Sequence, residues 1–391
     1  MAPKYVTFCI YDILIAIFCE VCMSNSGEEA KLNAEFAKLR ATIDRPNILL
    51  AGCTGAGKTS LLNEVFKKDI AKAGAGKPIT QKIEKFCDDD SKVVIFDSKG
   101  YEIGSEQEKN FMDDVIGLCK RIGTDEDKIH VVWYCIQAPG SRITDFDIES
   151  IKRMCDTNTP VAIVLTKSDQ VSDPDAQALI QVIVKELPGI SYFEVTTNKD
   201  VKALQSNMTN LVAWTTDRLP ESLKMAFIAE QQRDLECKRS KARSVVHQHA
   251  VAAFAVGFSP IPGSDAPLLL ANQYTILARI LYIFGLDGDK DKYSTLIKGA
   301  MTNILPTLGK WTVAQALKFI PGIGSILGGL IDASVASSLT LAFGHAVVET
   351  TYYAKQNTLD EFCNSEDVKA ISSVISEVFN NALNKELKEY M

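Results

Sequence analysis

Asn47-Ile48-Leu49-Leu50-Ala51-Gly52-Cys53-Thr54-Gly55-Ala56-Gly57-Lys58-Thr59 is the stretch that decides the fold. Its first five residues form a short apolar run of the kind that fills a buried strand. The next eight match G-x-x-x-x-G-K-S/T at every fixed position. The glycines let the backbone curl until its N–H groups point at phosphate oxygens. Lys58 has the reach for β- and γ-phosphates, and the Thr59 hydroxyl suits Mg²⁺. A helix from Ser60 to Lys67 then directs its positive end at the same phosphates. Gly52, Thr54, Gly55, Ala56, Gly57, Lys58, Thr59 and Ser60 are therefore the expected phosphate cradle. A glycine-rich strand–helix turn without a ligand is the alternative, and the complete match in this context disfavours it.

Two later strand ends choose among nucleotides. Val93-Val94-Ile95-Phe96 runs into Asp97-Ser98-Lys99-Gly100, a D-x-x-G pattern in which Asp97 would hold Mg²⁺ through water and the Gly100 N–H would meet the γ-phosphate. Alone, this pattern also fits a plain strand-end turn. Val161 to Leu165 runs into Thr166-Lys167-Ser168-Asp169, an N/T-K-x-D pattern. A carboxylate at Asp169 can accept from both the ring N–H and the exocyclic amine of guanine. Adenine offers neither donor there and would leave the carboxylate unpaired. The order of the three motifs favours GTP and GDP over ATP and argues against a small-molecule kinase.

With these residues in place, the chain resembles the translation-factor-like GTPases, and more closely the Era-like branch that includes the immunity-related GTPases. The resemblance spans about Arg45 to Leu219. It implies an α/β domain of mostly parallel sheet flanked by helices, followed here by an all-α region. It also implies that Gly76-Lys77-Pro78-Ile79-Thr80 is the first switch segment, with Thr80 closing on Mg²⁺ and the γ-phosphate. Lys58, Thr80 and Gly100 would then serve hydrolysis, and Thr59, Thr80 and Asp97 would serve the metal. Thr196-Thr197-Asn198, after the strand Tyr192 to Val195, takes the place of the loop that touches the guanine base, although it departs from the usual S-A-K form.

Two departures bear on mechanism. The second motif reads D-S-K-G, which puts Lys99 beside the switch. Gly100 is followed by Tyr101, where a water-orienting glutamine stands in Ras-like proteins. Intrinsic hydrolysis is therefore expected to be slow without a partner or a GTP-dependent second copy. Arg142, Thr144 and Asp145 are candidates for supplying the missing group. Against that, Arg142 and Asp147 can simply flank the start of the next helix.

Beyond Pro220 the pattern becomes helical. Glu221 to Ala253 contains few helix breakers and carries the basic cluster Lys238-Arg239-Ser240-Lys241-Ala242-Arg243 next to apolar residues. Such a cluster suits either an anionic lipid surface or a solvated helix face. Ser259-Pro260-Ile261-Pro262 with Asp265, and Pro321-Gly322-Ile323-Gly324-Ser325-Ile326-Leu327-Gly328-Gly329, resemble the YcjF-like helical module of unknown biochemistry, over about Val245 to Tyr353. Gly324 with Gly328, and Ala333 with Ser337, have the spacing of close helix contacts. Asp332 and His345 speak against a constitutive membrane span over Phe319 to Val348. A helical bundle able to dock on a membrane is the expectation. The tail Thr358 to Met391 keeps helical periodicity and is expected to fold back on the bundle.

The 391 residues thus divide into an N-terminal extension with an amphipathic helix (1–44), a nucleotide domain (45–219) and a helical domain (220–391). The net charge of −7 argues against general nucleic-acid binding. The ten cysteines form no disulfide-like framework, so a reduced compartment is expected, with the protein cytoplasmic and its helical domain on or in a membrane. Tyr5 to Cys22 is apolar but interrupted by Asp12, and reads as an upstream extension or an amphipathic segment rather than a signal peptide. Two functions follow. One is a Mg²⁺-dependent GTPase switch whose helical domain contacts membrane. The other is a GTP-binding adaptor with little hydrolysis that binds a protein partner.

Overall fold

The computed structural model describes residues 25–67, 77–78, 83–87, 90–98, 107–121, 127–140, 142–256, 265–287 and 328–356. They fall into two compact units. One is Ile43–Cys237, and the other combines the chain before Ile43 with the chain from Lys238 onward.

The central unit is a seven-stranded sheet in the order β2-β3-β4-β1-β5-β6-β7. Its strands are β1 (Asn47–Ala51), β2 (Lys77–Pro78), β3 (Ile83–Phe86), β4 (Val94–Ser98), β5 (Val131–Gln137), β6 (Val161–Thr166) and β7 (Ser191–Glu194). The five strands from β4 to β7 pair in parallel, and β2–β3 adds an antiparallel hairpin at one edge. Parallel strands with helices on both faces read as unbroken apolar runs, and every residue of β1 and β6 is buried. β1 lies between β4 and β5, so the loop after Ala51 emerges at the centre of the sheet's C-terminal edge, where ligands bind in open α/β sheets.

Helices cover both faces. One carries α3 (Gln107–Cys119), α4 (Asp145–Cys155) and α5 (Asp173–Glu186), which bury Val115, Ile151, Met154 and Ile183 against the sheet. The other carries α2 (Lys58–Phe66), α6 (Lys202–Arg218) and α7 (Glu221–Glu230). There Phe66 stacks on Trp133 with ring centroids 6.3 Å apart and meets Phe227 edge-on. The buried Trp133 indole donates to Thr215 Oγ1 at 3.0 Å, which satisfies its one polar atom.

The helical stretch expected from Glu221 to Ala253 is interrupted. α7 ends at Glu230, and α8 runs from Leu235 to Val256. Gln231 turns extended, and its fully buried amide accepts from the N–H groups of Arg233 and Asp234 while donating to the Asp234 carbonyl. Asp234 then accepts from the Cys237 N–H. Side chains here replace helical backbone partners, which lets a helix stop without glycine or proline. The central unit accordingly continues past Leu219, where sequence reading places the domain break, through Cys237.

In the second unit, α1 (Asn25–Thr42) packs on α9 (Asp265–Ile283), and its Leu32, Phe36 and Leu39 are buried. Arg40 is paired with Asp287 at 3.3 Å, and Thr275 donates to Glu35 at 3.1 Å. The N-terminal helix is thus part of the helical unit. α10 (Gly328–Gln356) packs on α9, and Gln273 donates to Thr340 between them. Among the described residues of this unit, Gly344 is a small residue that permits close approach. A Cβ there would lie 2.4 Å from Val246 Cγ1 of α8.

The basic cluster is occupied within this unit. Lys238 is 1% exposed and donates to the Ile283 carbonyl at the end of α9. Arg239 and Arg243 both pair with Glu349, and the Arg239 guanidinium sits 4.4 Å from the Tyr352 ring centroid. Among the described residues, no helix is long and apolar enough to cross a membrane. The segments 1–24, 288–327 and 357–391, with the extension, the Pro321–Leu327 part of the glycine-rich run and the tail read from sequence, lie outside the described residues.

Candidate nucleotide site

β1 delivers the chain to a loop whose shape depends on glycine. Gly52 has φ +130°, and a Cβ there would lie 2.1 Å from the Cys135 carbonyl oxygen on β5. Gly57 has φ +78° and caps α2, with Thr166 so near that a Cβ would meet its Oγ1 at 3.2 Å. Glycine alone suits both places. Lys58 opens α2 and is 8% exposed. Its ammonium donates back to the Gly52 and Cys53 carbonyls at 3.0 and 3.1 Å, arching over the loop. Thr54, Gly55, Thr59 and Ser60 are exposed along the loop and at the helix start. Backbone N–H groups at such a helix start form a ready anion site.

Asp97 sits at the end of β4, paired across the sheet with Leu50 of β1. Burial raises its carboxyl to about 6, with Lys58 opposing that rise and Glu84 adding to it. Its Oδ1 is buried and has no hydrogen-bond partner. A buried carboxylate oxygen left without a donor suits a cation. Among the described residues no group of three or more His, Cys, Asp or Glu side chains could cage a metal. Mg²⁺ needs no such cage, because it keeps waters and takes one or two carboxylates with substrate phosphates. Asp97 and Thr59 therefore fit as its protein contacts. Thr80, Lys99, Gly100 and Tyr101 lie outside the described residues.

The third motif closes the site from the β6 end. Thr166 is buried, and its hydroxyl donates to the Ala56 carbonyl at 2.8 Å, tying this motif to the phosphate loop. Lys167 adopts a left-handed φ of +56°, and its ammonium reaches the Gly55 carbonyl at 3.2 Å and Gln137 Oε1 at 3.3 Å. Its stem thus spans from one motif to the other. Asp169, in the 3₁₀ turn Ser168–Gln170, accepts from the Thr196 hydroxyl at 2.6 Å. Thr196 is 2% exposed and also accepts the Asn198 N–H, so it orients Asp169 from behind, whereas Thr197 is exposed.

Two contributors escape sequence reading. Gln137 at the end of β5 steadies Lys167. Gln205 on α6 donates to the Thr196 and Asn198 carbonyls at 2.7 and 3.0 Å and holds their loop. An amide that supports backbone carbonyls follows no motif spacing. Of the groups considered for water positioning, Thr144 caps α4 in a box with Asp147, which also accepts from the Tyr134 hydroxyl at 2.8 Å, and Asp145 is exposed. Arg142 is exposed.

Residues 47–167 match the family described as 50S ribosome-binding GTPase. The chain carries a P-loop GTPase domain. The matched span takes in the phosphate loop, Asp97 and the start of the third motif, and it ends before the helical unit. Among curated proteins, neuronal-specific septin-3 of Danio rerio is 22% identical over 167 residues, covering 36% of this chain and 46% of its own length. Its namesake in Bos taurus is 19% identical over 215 residues, covering 48% and 57%. The chain spans about half the length of these curated relatives. Similar solved structures include a probable GTP-binding protein engB, with 14% identity, a TM-score of 0.32 and coverage of 43% of this chain and 99% of that one. Another is translation elongation factor SelB from Methanococcus maripaludis with a GTP analogue, with 15% identity, a TM-score of 0.31 and coverage of 46% and 35%.

Proposed function

We propose that this protein binds GTP with Mg²⁺ and hydrolyses it to GDP as a switch whose nucleotide state reaches the helical unit. The observation that carries the guanine reading is the Asp169 carboxylate, oriented by Thr196 at 2.6 Å beside a Lys167 that spans to Gly55. The backbone N–H groups of the exposed residues Thr54, Gly55, Thr59 and Ser60 receive the phosphates. Lys58 exchanges the Gly52 and Cys53 carbonyls for β- and γ-phosphate oxygens and stabilises the charge that grows between them. Water attacks the γ-phosphorus as the bond to the bridging β-oxygen breaks, leaving GDP and inorganic phosphate. Mg²⁺, when bound, neutralises charge on the β- and γ-oxygens, with Asp97 and Thr59 its protein contacts and Thr80 a third from the switch. Membership of the Era-like branch, a YcjF-like helical module and a cytoplasmic protein acting at a membrane surface or as a GTP-dependent dimer complete this reading.

Single-turnover hydrolysis of GTP tests it. Wild type turns GTP over, and Lys58→Ala loses about a hundredfold or more in rate, as expected for removal of a charge that acts on the transition state. A wild type that binds GTP but shows no turnover at any protein concentration overturns the switch. That outcome would support the adaptor reading, which the engagement of Thr144 in the α4 cap favours.

A further inference from the structure

The turn that ends the central unit reaches back into the nucleotide site. Arg233 lies between α7 and α8. Its Nη1 donates to Glu64 of α2, the helix that starts at Lys58, at 2.8 Å, and both side chains are 14% exposed. Its Nη2 donates to the Gln205 carbonyl at 3.2 Å and to Gln205 Oε1. Gln205 in turn holds the Thr196 and Asn198 carbonyls, and Thr196 holds Asp169. The backbone takes part too, because the Gln232 N–H donates to the Val65 carbonyl at the end of α2 at 2.9 Å. Three separate parts of the chain therefore meet at one guanidinium. A planar fork can serve two acceptors in fixed directions, which a lysine ammonium cannot reproduce.

We propose that Arg233 is a positioning residue for the nucleotide: it clamps the phosphate-loop helix to the support of the guanine-reading loop, so the segment leading out of the domain sets how firmly Asp169 is held. This rests on the guanine reading above. A group that orients Asp169 matters most for a base that uses both carboxylate oxygens. GDP presents the ring N–H and the exocyclic amine, whereas inosine diphosphate keeps only the ring N–H.

The test is competitive binding of GDP, inosine diphosphate and ADP to the full chain with Mg²⁺, for wild type, Arg233→Ala, Arg233→Lys and Gln205→Leu. Loss of a charge-assisted hydrogen bond in the support lowers GDP affinity about five- to tenfold in Arg233→Ala. Inosine diphosphate loses less, so the ratio between the two falls. Arg233→Lys keeps the Glu64 contact and gives an intermediate ratio. Gln205→Leu reproduces the fall, and carries the test should Arg233→Ala fail to fold. An unchanged ratio in Arg233→Lys and Gln205→Leu, or equal losses for both nucleotides, overturns the assignment of Arg233. A wild type that binds ADP as well as GDP overturns the guanine reading itself.

Discussion

At the residue scale, the motif positions were legible because phosphate and guanine chemistry tolerate few residue types. Gly52, Lys58 and Asp169 stand where their patterns put them, at the ends of β1 and β6. What spacing did not announce is how each is held. The hydroxyl of Thr166, a residue expected at the nucleotide, donates to the Ala56 carbonyl. The hydroxyl of Thr196, a residue expected at the base, donates to Asp169. Asp169→Asn turns an acceptor into a partial donor, so GDP affinity should fall by a factor of about a hundred or more while xanthosine diphosphate, with a carbonyl in place of the amine, gains; calorimetry with both nucleotides reads this. Asp97 gives a prediction with a pH sign. Its folded carboxyl is raised from 3.8 to about 6, so its contribution to stability is present below 3.8 and is lost as pH rises through 6. Asp97→Asn should therefore melt close to wild type at pH 4 and a few degrees higher at pH 7 without nucleotide. Mg²⁺ with GDP should raise the wild-type midpoint more than the variant's. A variant less stable than wild type at pH 7 would contradict the buried, unpartnered carboxylate.

At the element scale, β1 and β6 were readable because strands covered on both faces are apolar throughout. The helices were readable by periodicity, but their ends and partners were not. The break after Glu230 depends on the Gln231 amide finding three backbone groups, an arrangement no local pattern encodes. The small-residue pairs Gly324–Gly328 and Ala333–Ser337 have the spacing of close helix contacts, and among the described helices Gly344 makes such a contact against Val246. Gly344→Leu should force α8 and α10 apart and destabilise the helical unit by about 2–3 kcal/mol, the usual range for overpacking. Hydrogen exchange should show faster exchange of the α8 and α10 amides with β1 and β6 unchanged. Faster exchange in β1 as well would mean that the two units unfold together.

At the scale of the whole molecule, the basic cluster shows how composition can mislead. Lys238, Arg239 and Arg243 read as a cationic face, but one is buried on a carbonyl and two share Glu349. Vesicle flotation with anionic lipid separates the two roles. If membrane contact belongs to the helical unit by another route, the GTP-loaded chain should co-float, and Arg243→Gln should change its bound fraction less than twofold. Loss of flotation in that variant would return the cluster to the lipid surface, and no flotation with either nucleotide would remove the membrane altogether. The sequence by itself determined the glycine-rich loop after β1, the T-K-x-D turn at the end of β6 and the parallel sheet between them, because each follows from local residue type and short-range order. Only the tertiary structure decided that α1 belongs with α9, where Arg40 meets Asp287, and that the central unit runs on to Cys237. It also decided that Arg233 joins Glu64 to Gln205. Those partners lie far apart along the chain, and hydrophobic burial and hydrogen-bond satisfaction choose them only once the elements have packed.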